Sequence, residues 1–494
     1  MNQTKTHTLS KSAFIRGLQC HKSLYLKKHH PELEDKVSES QQAIFDKGTN
    51  VGVLAQQLFP GGVDLGEFIP SDFGRVLSET SKLIGEGQTV IYEAGFKSNY
   101  LICFIDILVK RDGKWYAYEV KGSTSVSDVY LWDTAFQYHV ITSTGIELED
   151  ISVIHLNNLY VRRGELNVNE LFTTVSVLKD IIPLQSHVKS NVNQIQKILN
   201  SGSIPNIDIG THCNDPYGCS FTGFCWKGIP DYSVFNISRL KADKKFNLYN
   251  QGILEINDVP EEYPLSENQQ LQVLSEKTGN SKIDKVQIRK FVEQFNYPLY
   301  FLDFETFQSP VPKFDESRPY QQITFQYSLH IADTLDGDLI HKGFLAETEG
   351  DPRIALIKRL IEDLEYTGDI VVFNKSFEIT RLKEIARDFP EYKDKIELII
   401  ERVVDLMVPF SRKWYYTPDM KGSYSIKLVL PALVPGFGYE NLNINKGDLA
   451  SLAFERLYSE TDESIISKTR QDLLEYCKLD SLAMVEILKV LQKI

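Results

Sequence analysis

No stretch of this 494-residue chain approaches the roughly 20 consecutive apolar residues that a membrane-spanning helix needs. The amino terminus, MNQTKTHTLSKSAF, lacks the apolar core of a secretion signal, which predicts a cytoplasmic protein without a membrane partner. A positive net charge is absent too, since 67 acidic residues outnumber 54 basic ones and give a formal charge of −13. That balance argues against a surface coated in basic residues, although a local basic groove on an acidic protein still binds nucleic acid.

Cysteine is scarce, with six residues in the whole chain, so a disulfide-built scaffold is excluded. Three of the six nevertheless crowd into thirteen residues of a Gly/Pro-rich loop, at Cys213, Cys219 and Cys225. Cys20 lies far upstream in a segment with helical periodicity. Cys103 lies inside an apolar strand and Cys477 in the last predicted helix, and we expect both to be core or incidental. The clustering of the three is too tight to be attributed to chance.

Strand and helix patterns alternate along the chain, which predicts an α/β fold. Its length predicts two or three domains. We expect boundaries that give an amino-terminal domain over 1–230, a helical connector over 231–294 and a carboxy-terminal domain over 295–494. Within these, the sequence predicts helices over 9–29, 393–410 and 464–494, and strands over 89–96, 99–111, 114–122 and 298–306.

Two acids interrupt the apolar strand YFLDFETF at 300–307. Asp303 and Glu305 are two residues apart, so both side chains point to the same face of the strand. Burying two such carboxylates unpaired is costly, and a divalent cation with hard oxygen ligands, Mg²⁺ or Mn²⁺, removes that cost. The alternative is an edge strand whose two acids are solvated.

Further acids and a tyrosine extend this pattern. Tyr476 and Asp480 lie four residues apart on one face of the last predicted helix, and Glu378 opens a helix that follows a strand. Together with Asp303 and Glu305 the arrangement resembles the DEDDy branch of the DnaQ-like 3′–5′ exonucleases over 297–494. The resemblance implies a ribonuclease H-like fold and metal held by Asp303, Glu305, Glu378 and Asp480, with Tyr476 orienting the attacking water.

The carboxy-terminal segment departs from that family at its second motif. Glu378 stands where the family carries Asp, and the longer side chain would change the metal spacing, so Asp405 is a candidate substitute or helper. The stretch GSYSIKLVLPAL at 422–433 is similar to a Ser-Leu-Lys helix that these nucleases place near the substrate. Lys427 would then contact a phosphate; the alternative is a solvated helix lysine.

A second constellation lies in IDILVKRDGKWYAYEVKG at 105–122. The Asp-Gly pair predicts a hairpin that brings Asp106 across from Glu119 and Lys121, which share a strand face. The alternative is a surface hairpin with a Glu119–Lys121 ion pair. The pattern resembles the PD-(D/E)xK core of restriction-endonuclease-like and RecB-like nucleases, which implies metal at Asp106 and Glu119 and an activating role for Lys121.

The same resemblance assigns supporting roles to Glu93, ahead of the hairpin, and to Gln137, on the following helix. It also marks departures, because the position where relatives often carry Tyr is Ile141 here and a metal-ligand histidine is not evident. His21 and His139 are candidates for that ligand, although a lone histidine more often has a structural role.

One early cysteine and a late group of three flank this core and resemble the iron–sulfur nucleases, such as the CRISPR-associated adaptation exonuclease and AddB-like domains. The resemblance implies that Cys20, Cys213, Cys219 and Cys225 ligate a structural 4Fe–4S cluster. Zinc is the direct competitor, because it also accepts four thiolates.

The order of these parts resembles a bacterial family of two-nuclease proteins and implies a nuclease, most simply an exonuclease, in DNA repair or defence. The expected partner is DNA, single-stranded or at its ends, and RNA is an open alternative. A second hypothesis is a nucleic-acid-binding adaptor subunit in which one or both sites are inactive.

Overall fold

The computed structural model of the protein describes residues 6–69, 72–365 and 367–494. These residues form two compact units of mixed α/β structure, so the predicted α/β class is confirmed. Unit 1 runs to Gly228 and also includes Pro310–Tyr320, and unit 2 comprises Ile229–Ser309 with Gln321–Ile494. Among the helices in these ranges, none is both long enough and apolar enough to cross a bilayer.

Unit 1 is built on one seven-stranded sheet with the order β2-β3-β4-β5-β6-β7, and β1 pairs with β4. The predicted hairpin is present, since β3, β4 and β5 are antiparallel neighbours, and β6 then joins β5 in parallel. The strands are β1 (Leu9–Ser10), β2 (Val63–Asp64), β3 (Val90–Ser98), β4 (Leu101–Arg111), β5 (Lys114–Lys121), β6 (Leu148–Leu156) and β7 (Phe172–Ser176).

Nine helices are described in unit 1, and the crossover from β5 to β6 runs through α5. The predicted 9–29 helix is interrupted at Cys20, where the backbone is extended and the first helix ends. The Cys20 sulfur then accepts a hydrogen bond from the backbone amide of Ser23 in the next helix. The helices are α1 (Lys11–Gln19), α2 (His21–His29), α3 (Glu39–Ala55), α4 (Phe73–Gly85), α5 (Asp128–Thr142), α6 (Val168–Leu171), α7 (Leu178–Ile181), α8 (Gln185–Leu199) and α9 (Thr222–Cys225).

The Pro310–Tyr320 segment of unit 1 is held by the loop that carries Arg162. The Arg162 guanidinium donates to the Pro312 and Lys313 carbonyls at 3.1 and 3.0 Å, and the Arg162 amide donates to the Ser317 carbonyl at 3.0 Å. The Gly164 amide adds a 2.9 Å bond to Asp315. At its end, the Tyr320 hydroxyl donates to the carbonyl of Gly122, the residue that follows β5.

Unit 2 contains a five-stranded sheet with the order β11-β10-β9-β12-β13. The central strand, β9, pairs antiparallel with β10 and parallel with β12, so one half of the sheet is antiparallel and the other is parallel. A two-stranded pair, β14-β8, lies outside it. The strands are β8 (Lys282–Ile283), β9 (Leu299–Gln308), β10 (Gln322–Ala332), β11 (Leu339–Leu345), β12 (Ile370–Val372), β13 (Val403–Asp405) and β14 (Tyr415–Tyr416).

Ten helices are described in unit 2, and the stretch predicted as a connector forms the first three. The predicted helix over 393–410 is wrong beyond Glu401, because Val403 and Val404 extend into a parallel strand beside β12. The helices are α10 (Ala242–Asn250), α11 (Glu267–Thr278), α12 (Lys285–Val292), α13 (Pro352–Asp363), α14 (Lys375–Asp388), α15 (Lys393–Glu401), α16 (Val408–Ser411), α17 (Ile426–Leu433), α18 (Gly447–Leu457) and α19 (Glu463–Gln492).

A buried ion network joins α13 to α14. Arg353 is 1% exposed and donates to Asp388 at 2.8 Å and to Asp351 at 2.6 Å. Asp388 also accepts a hydrogen bond from Gln321 and pairs with Arg387 at 2.7 Å. Because Asp388 is itself buried, its charge depends on these partners.

We expect Arg353→Met to destabilise unit 2 by about 3 kcal/mol, because it removes the buried cation that pairs with the Asp388 carboxylate. Urea denaturation of the full chain, followed by circular dichroism, measures the change. Lys358→Met, an exposed position on the same helix, is the control and should stay within about 0.5 kcal/mol of the wild type. Equal losses in the two variants would contradict this role of Arg353.

Candidate functional site

Three acids of unit 2 meet at one point. Asp303 and Glu305 lie on one face of β9, and Asp480 comes from α19, which packs against that strand. One carboxylate oxygen from each lies within 4.8 Å of the other two. A β-bulge on β10 lies opposite Thr306 and Glu305, where such irregularities re-aim side chains. Glu305 and Asp480 are buried, and this grouping offers a cation three oxygen ligands.

The acids of this cluster repel one another. Burial, together with the charges of Asp480, Glu305 and Glu378, raises the pKa of Asp303 well above its usual range. Burial and Asp480 likewise raise the pKa of Glu305 against the opposing charge of Lys427. Burial raises the pKa of Asp480 to about 6, although hydrogen bonds and Lys427 oppose the change. Neutralisation by a divalent cation would relieve this repulsion.

Two tyrosines and a lysine complete the polar surroundings. The Lys427 ammonium donates to the Tyr476 hydroxyl at 3.0 Å and to the Asn445 carbonyl at 2.8 Å. The Tyr439 hydroxyl donates to Asp480 at 2.6 Å. Burial and Asp480 raise the pKa of Tyr476 far above its usual range, so its hydroxyl stays protonated. Lys427 therefore projects into the site, where it contacts the tyrosine of the Tyr-x-x-x-Asp motif.

Glu378 and Asp405 flank the cluster and take different positions. Glu378 is 2% exposed, one of its carboxylate oxygens has no hydrogen-bond partner, and burial raises its pKa to about 8. It interacts electrostatically with Asp303 but lies outside the three-acid group. The Asp405 carboxylate accepts hydrogen bonds from the backbone amides of Asn374 and Met407 at 3.2 and 2.9 Å. It therefore stabilises the backbone just beyond the ends of β12 and β13.

The polar group of unit 1 is centred on Glu119, which is 2% exposed. It pairs with Lys11, with Lys121 at 2.8 Å and with the Gln137 amide at 2.6 Å. Burial alone would raise the pKa of Glu119, but the two ammonium groups outweigh it and lower that pKa to about 2. Lys121 also pairs with Asp133 at 2.6 Å. The buried charges of this site are therefore paired inside the protein.

Asp106 and Glu93 lie next to this group. Asp106 accepts the Val120 amide at 2.5 Å, and burial together with Glu119 raises its pKa to about 7. Glu93 has a φ of 55°, in the left-handed region, and burial together with Asp106 and Glu119 raises its pKa to about 8. Burial lowers the pKa of both His21 and His139, and His139 interacts with Gln185 rather than with these acids.

Lys11, Asp133 and Tyr439 also belong to these two sites, although they are not among the residues predicted from the sequence. Lys11 and Tyr439 are distant in sequence from the acids that they contact, so no local pattern points to them. Asp133 had a usable signal, because it lies four residues before Gln137 and therefore on the same face of α5.

The four predicted cluster cysteines line one cavity, together with Phe221 and Trp226. Cys20 and Cys225 each interact electrostatically with other cysteines of this group, and none of the four forms a disulfide bond. Among the described residues, one group of three or more ligand atoms lies within 4.8 Å of one another, and it is the three acids of unit 2. No three of the four sulfurs therefore lie that close together. Four thiolates round one mainly apolar cavity are a donor set that suits an iron–sulfur cluster or zinc.

We expect Asp303→Asn to raise the thermal unfolding temperature of the metal-free protein by a few degrees, because it removes one of several repelling buried charges. It should also diminish the further stabilisation that Mg²⁺ gives the wild type. Differential scanning calorimetry with EDTA and with Mg²⁺ measures both effects. Asp338→Asn, at an exposed position, is the control, and an unaltered Mg²⁺ response in Asp303→Asn would refute the assignment.

Comparison with known proteins finds similarity to a domain of unknown function and to uncharacterized proteins. Residues 300–425 match a family described as a domain of unknown function (DUF2779), which includes Asp303, Glu305, Glu378 and Asp405. The chain is 32% identical over 213 residues to the uncharacterized protein MG366 of Mycoplasma genitalium, covering 39% of this chain and 32% of that protein. It is 29% identical over 243 residues to the uncharacterized protein UU173 of Ureaplasma parvum, covering 44% and 34%. The chain thus spans about a third of the length of these relatives.

Proposed function

We propose that the protein is a metal-dependent nuclease and that unit 2 carries a 3′–5′ exonuclease site of the DnaQ-like type. The observation that carries this proposal is the convergence of Asp303, Glu305 and Asp480 within 4.8 Å, next to Tyr476. The mixed sheet around β9 and the long helix α19 are compatible with the ribonuclease H-like fold that the resemblance implies. A sheet alone would not support an activity; the acids do.

In this proposal Asp303, Glu305 and Asp480 hold Mg²⁺ or Mn²⁺, and Glu378 offers a further carboxylate from the adjacent helix. Bound metal would activate a water molecule and offset the charge on the phosphate. Tyr476 stays protonated and is fixed by Lys427, so it acts by orienting water or a phosphate oxygen rather than as a base. Lys427 adds positive charge on the side of Tyr476.

For unit 1 we propose a PD-(D/E)xK nuclease site. Asp106 and Glu119 would hold the metal, Lys121 would position the attacking water, and Gln137 and Glu93 would support them. The observations in favour are the antiparallel β3-β4-β5 arrangement, the α5 crossover and the contact of Lys121 with Glu119. Metal binding would require the ion pair between Lys11 and Glu119 to break, so that the Glu119 carboxylate could contact the metal.

That last contact favours a second candidate for unit 1. With Lys11 and Lys121 both on Glu119, the carboxylate already has its counterions, which disfavours a bound metal, and unit 1 would then bind nucleic acid without cleaving it. The protein would then be an adaptor with one active site, in unit 2.

DNA, single-stranded or at its ends, is the proposed substrate, and RNA is the alternative. DNA repair or defence is the proposed biological role.

We further propose that Cys20, Cys213, Cys219 and Cys225 hold a structural 4Fe–4S cluster. Zinc would accept the same four thiolates, but zinc ribbons usually use two tight CxxC pairs, and the C-x5-C-x5-C spacing of the last three cysteines contains none. The cysteines come from the start and the end of unit 1, so the cluster would tie those two ends together.

We expect Asp303→Asn to reduce the Mg²⁺-dependent release of nucleotides from 3′ ends by more than about 100-fold, because it removes a metal ligand. If unit 1 is active, adding Lys121→Ala to the Asp303→Asn variant should abolish the cleavage that remains. If unit 1 only binds nucleic acid, adding Lys121→Ala should leave the remaining cleavage unchanged. End-labelled DNA and RNA, single- and double-stranded, resolved on sequencing gels, separate these outcomes. Asp338→Asn is the control, and wild-type protein that degrades none of the four substrates with Mg²⁺ or Mn²⁺ would refute the proposal.

Anaerobically purified protein should be brown, with a broad visible absorption and bound iron and sulfide. Cys225→Ser should lose that absorption and lower the thermal stability of unit 1, because the tie between its two ends is lost. Cys103→Ser, buried in β4 away from the cavity, should keep the colour. Colourless protein with one equivalent of zinc would instead identify a zinc site.

A further inference from the structure

A cleft of ≈ 700 Å³ opens in unit 2, and its size falls within the roughly 300–1,000 Å³ range of ligand sites. One wall is the stretch from Asp231 to Arg239, which precedes α10, and the other is the loop from Lys421 into the start of α17. Phe373, Asn374 and Met407 form its floor. The predicted connector therefore supplies one side of a cleft.

The floor of the cleft lies beside the three acids. Phe373 and Asn374 directly follow β12, and Met407 follows β13, so the floor is at the carboxyl ends of two parallel strands. In the pairing of β12 with β9, Val371 is level with Phe301, and extending this alignment by two residues would bring Phe373 level with Asp303. Adjacent strands are about 4.8 Å apart. Ligands of open α/β sheets bind at this end of the strands.

The backbone around the cleft is strained. Arg239, Asn374 and Lys421 have φ values of 54°, 104° and 47°, and they are three of the nine non-glycine residues with positive φ in the described ranges. Such conformations persist where the surroundings enforce them and concentrate at ligand sites. Gly422 follows with a φ of 76°, and a Cβ atom there would lie 2.3 Å from the amide nitrogen of Gln272.

Gln272, on α11, holds the connector wall in place. Its side chain is buried, accepts the Ser238 amide at 2.9 Å and donates to the Tyr232 hydroxyl and the Asn236 carbonyl at 3.0 and 3.2 Å. These bonds fix the residues immediately before Arg239. The position of Arg239 is therefore built into the fold.

The polar groups of the cleft suit a sugar–phosphate chain with unpaired bases. Arg239 and Lys421 are exposed and positive, and Asp231 is the one acid among the lining residues. The Arg239 guanidinium lies 5.4 Å from the centre of the Tyr424 ring and donates to its hydroxyl. Paired guanidinium and aromatic planes stack unpaired bases, and basic groups beside them bind the backbone.

We propose that this cleft binds the single strand of nucleic acid whose 3′ end reaches Asp303, Glu305 and Asp480, an inference that rests on the proposed function of unit 2. Arg239 and Lys421 contact phosphates, and the Arg239–Tyr424 pair stacks a base. The stretch before α10 is thus a substrate-binding element, and the preferred substrate has unpaired bases at its 3′ end.

The first test measures binding of a fluorescein-labelled oligothymidylate of about ten nucleotides by the full chain, without added metal, over a range of salt concentrations. Loss of two phosphate contacts in Arg239→Ala/Lys421→Ala should reduce the slope of log affinity against log salt by about 1.4. Tyr424→Leu should weaken binding roughly tenfold. Lys290→Ala, an exposed lysine of α12, is the charge control and should retain most of the wild-type affinity. A labelled oligouridylate shows whether RNA is held as well as DNA.

The second test locates the strand. A 5-iodouracil near the 3′ end of the oligonucleotide, irradiated in the complex, should crosslink to the Tyr424 peptide, and the crosslink should disappear in Tyr424→Leu. This readout is independent of any strand bound by unit 1. Crosslinks that fall outside both walls of the cleft, or a salt slope that is unchanged in Arg239→Ala/Lys421→Ala, would overturn the inference.

Hydrolysis of thymidine 5′-monophosphate p-nitrophenyl ester separates the cleft from the acids, because this small ester does not need a bound strand. Asp303→Asn should not hydrolyse it, whereas Lys290→Ala, the charge control, should hydrolyse it at the wild-type rate. If the wild type is inactive on the ester and on strands but the cleft variants still weaken binding, the proposed function fails and the binding site stands. If the wild type hydrolyses the ester and the cleft variants bind the strand as tightly as the wild type does, the binding site fails and the proposed function stands.

Discussion

Repulsion between carboxylates that are buried together is the constraint to which both units respond. Charges moved from water into a protein interior are costly unless they are paired. Unit 1 meets the cost with lysines, since Lys11 and Lys121 both contact Glu119. Unit 2 does not, because around Asp303, Glu305 and Asp480 the nearby cation is Lys427, which hydrogen-bonds to Tyr476 instead. The two sites contain similar residues, but in unit 2 the nearby lysine does not offset the burial and mutual repulsion of the carboxyl groups, whose pKa values are raised.

Local patterns made part of this arrangement predictable. Alternation along a strand is enough to put Asp303 and Glu305 on one face, and the Asp-Gly turn is enough to bring Asp106 across from Glu119. Both features depend on residues a short distance apart in sequence. The same holds for Tyr476 and Asp480, which are one helical turn apart on α19.

What could not be predicted depends on contacts between distant segments. Lys11 approaches Glu119 from a helix more than a hundred residues earlier, and Tyr439 reaches Asp480 from a loop. Asp405 lies at the end of a strand because Val403 and Val404 pair with β12, a tertiary contact that overrides the helical pattern of 393–410. The cleft was missed for the same reason, since its walls come from segments separated by almost two hundred residues.

The Pro310–Tyr320 segment leaves β9 and returns at β10, yet it belongs to unit 1, where Arg162 and Gly164 hold it. Dissection of the gene product at Gly228 would consequently produce two imperfect halves. The fragment containing unit 1 would lose the eleven residues 310–320 that cover part of its surface. The fragment containing unit 2 would carry those residues, and Val311 would no longer contact its apolar neighbours in unit 1. Recombinant study of either half therefore calls for grafting this peptide back onto the first and replacing it with a short linker in the second.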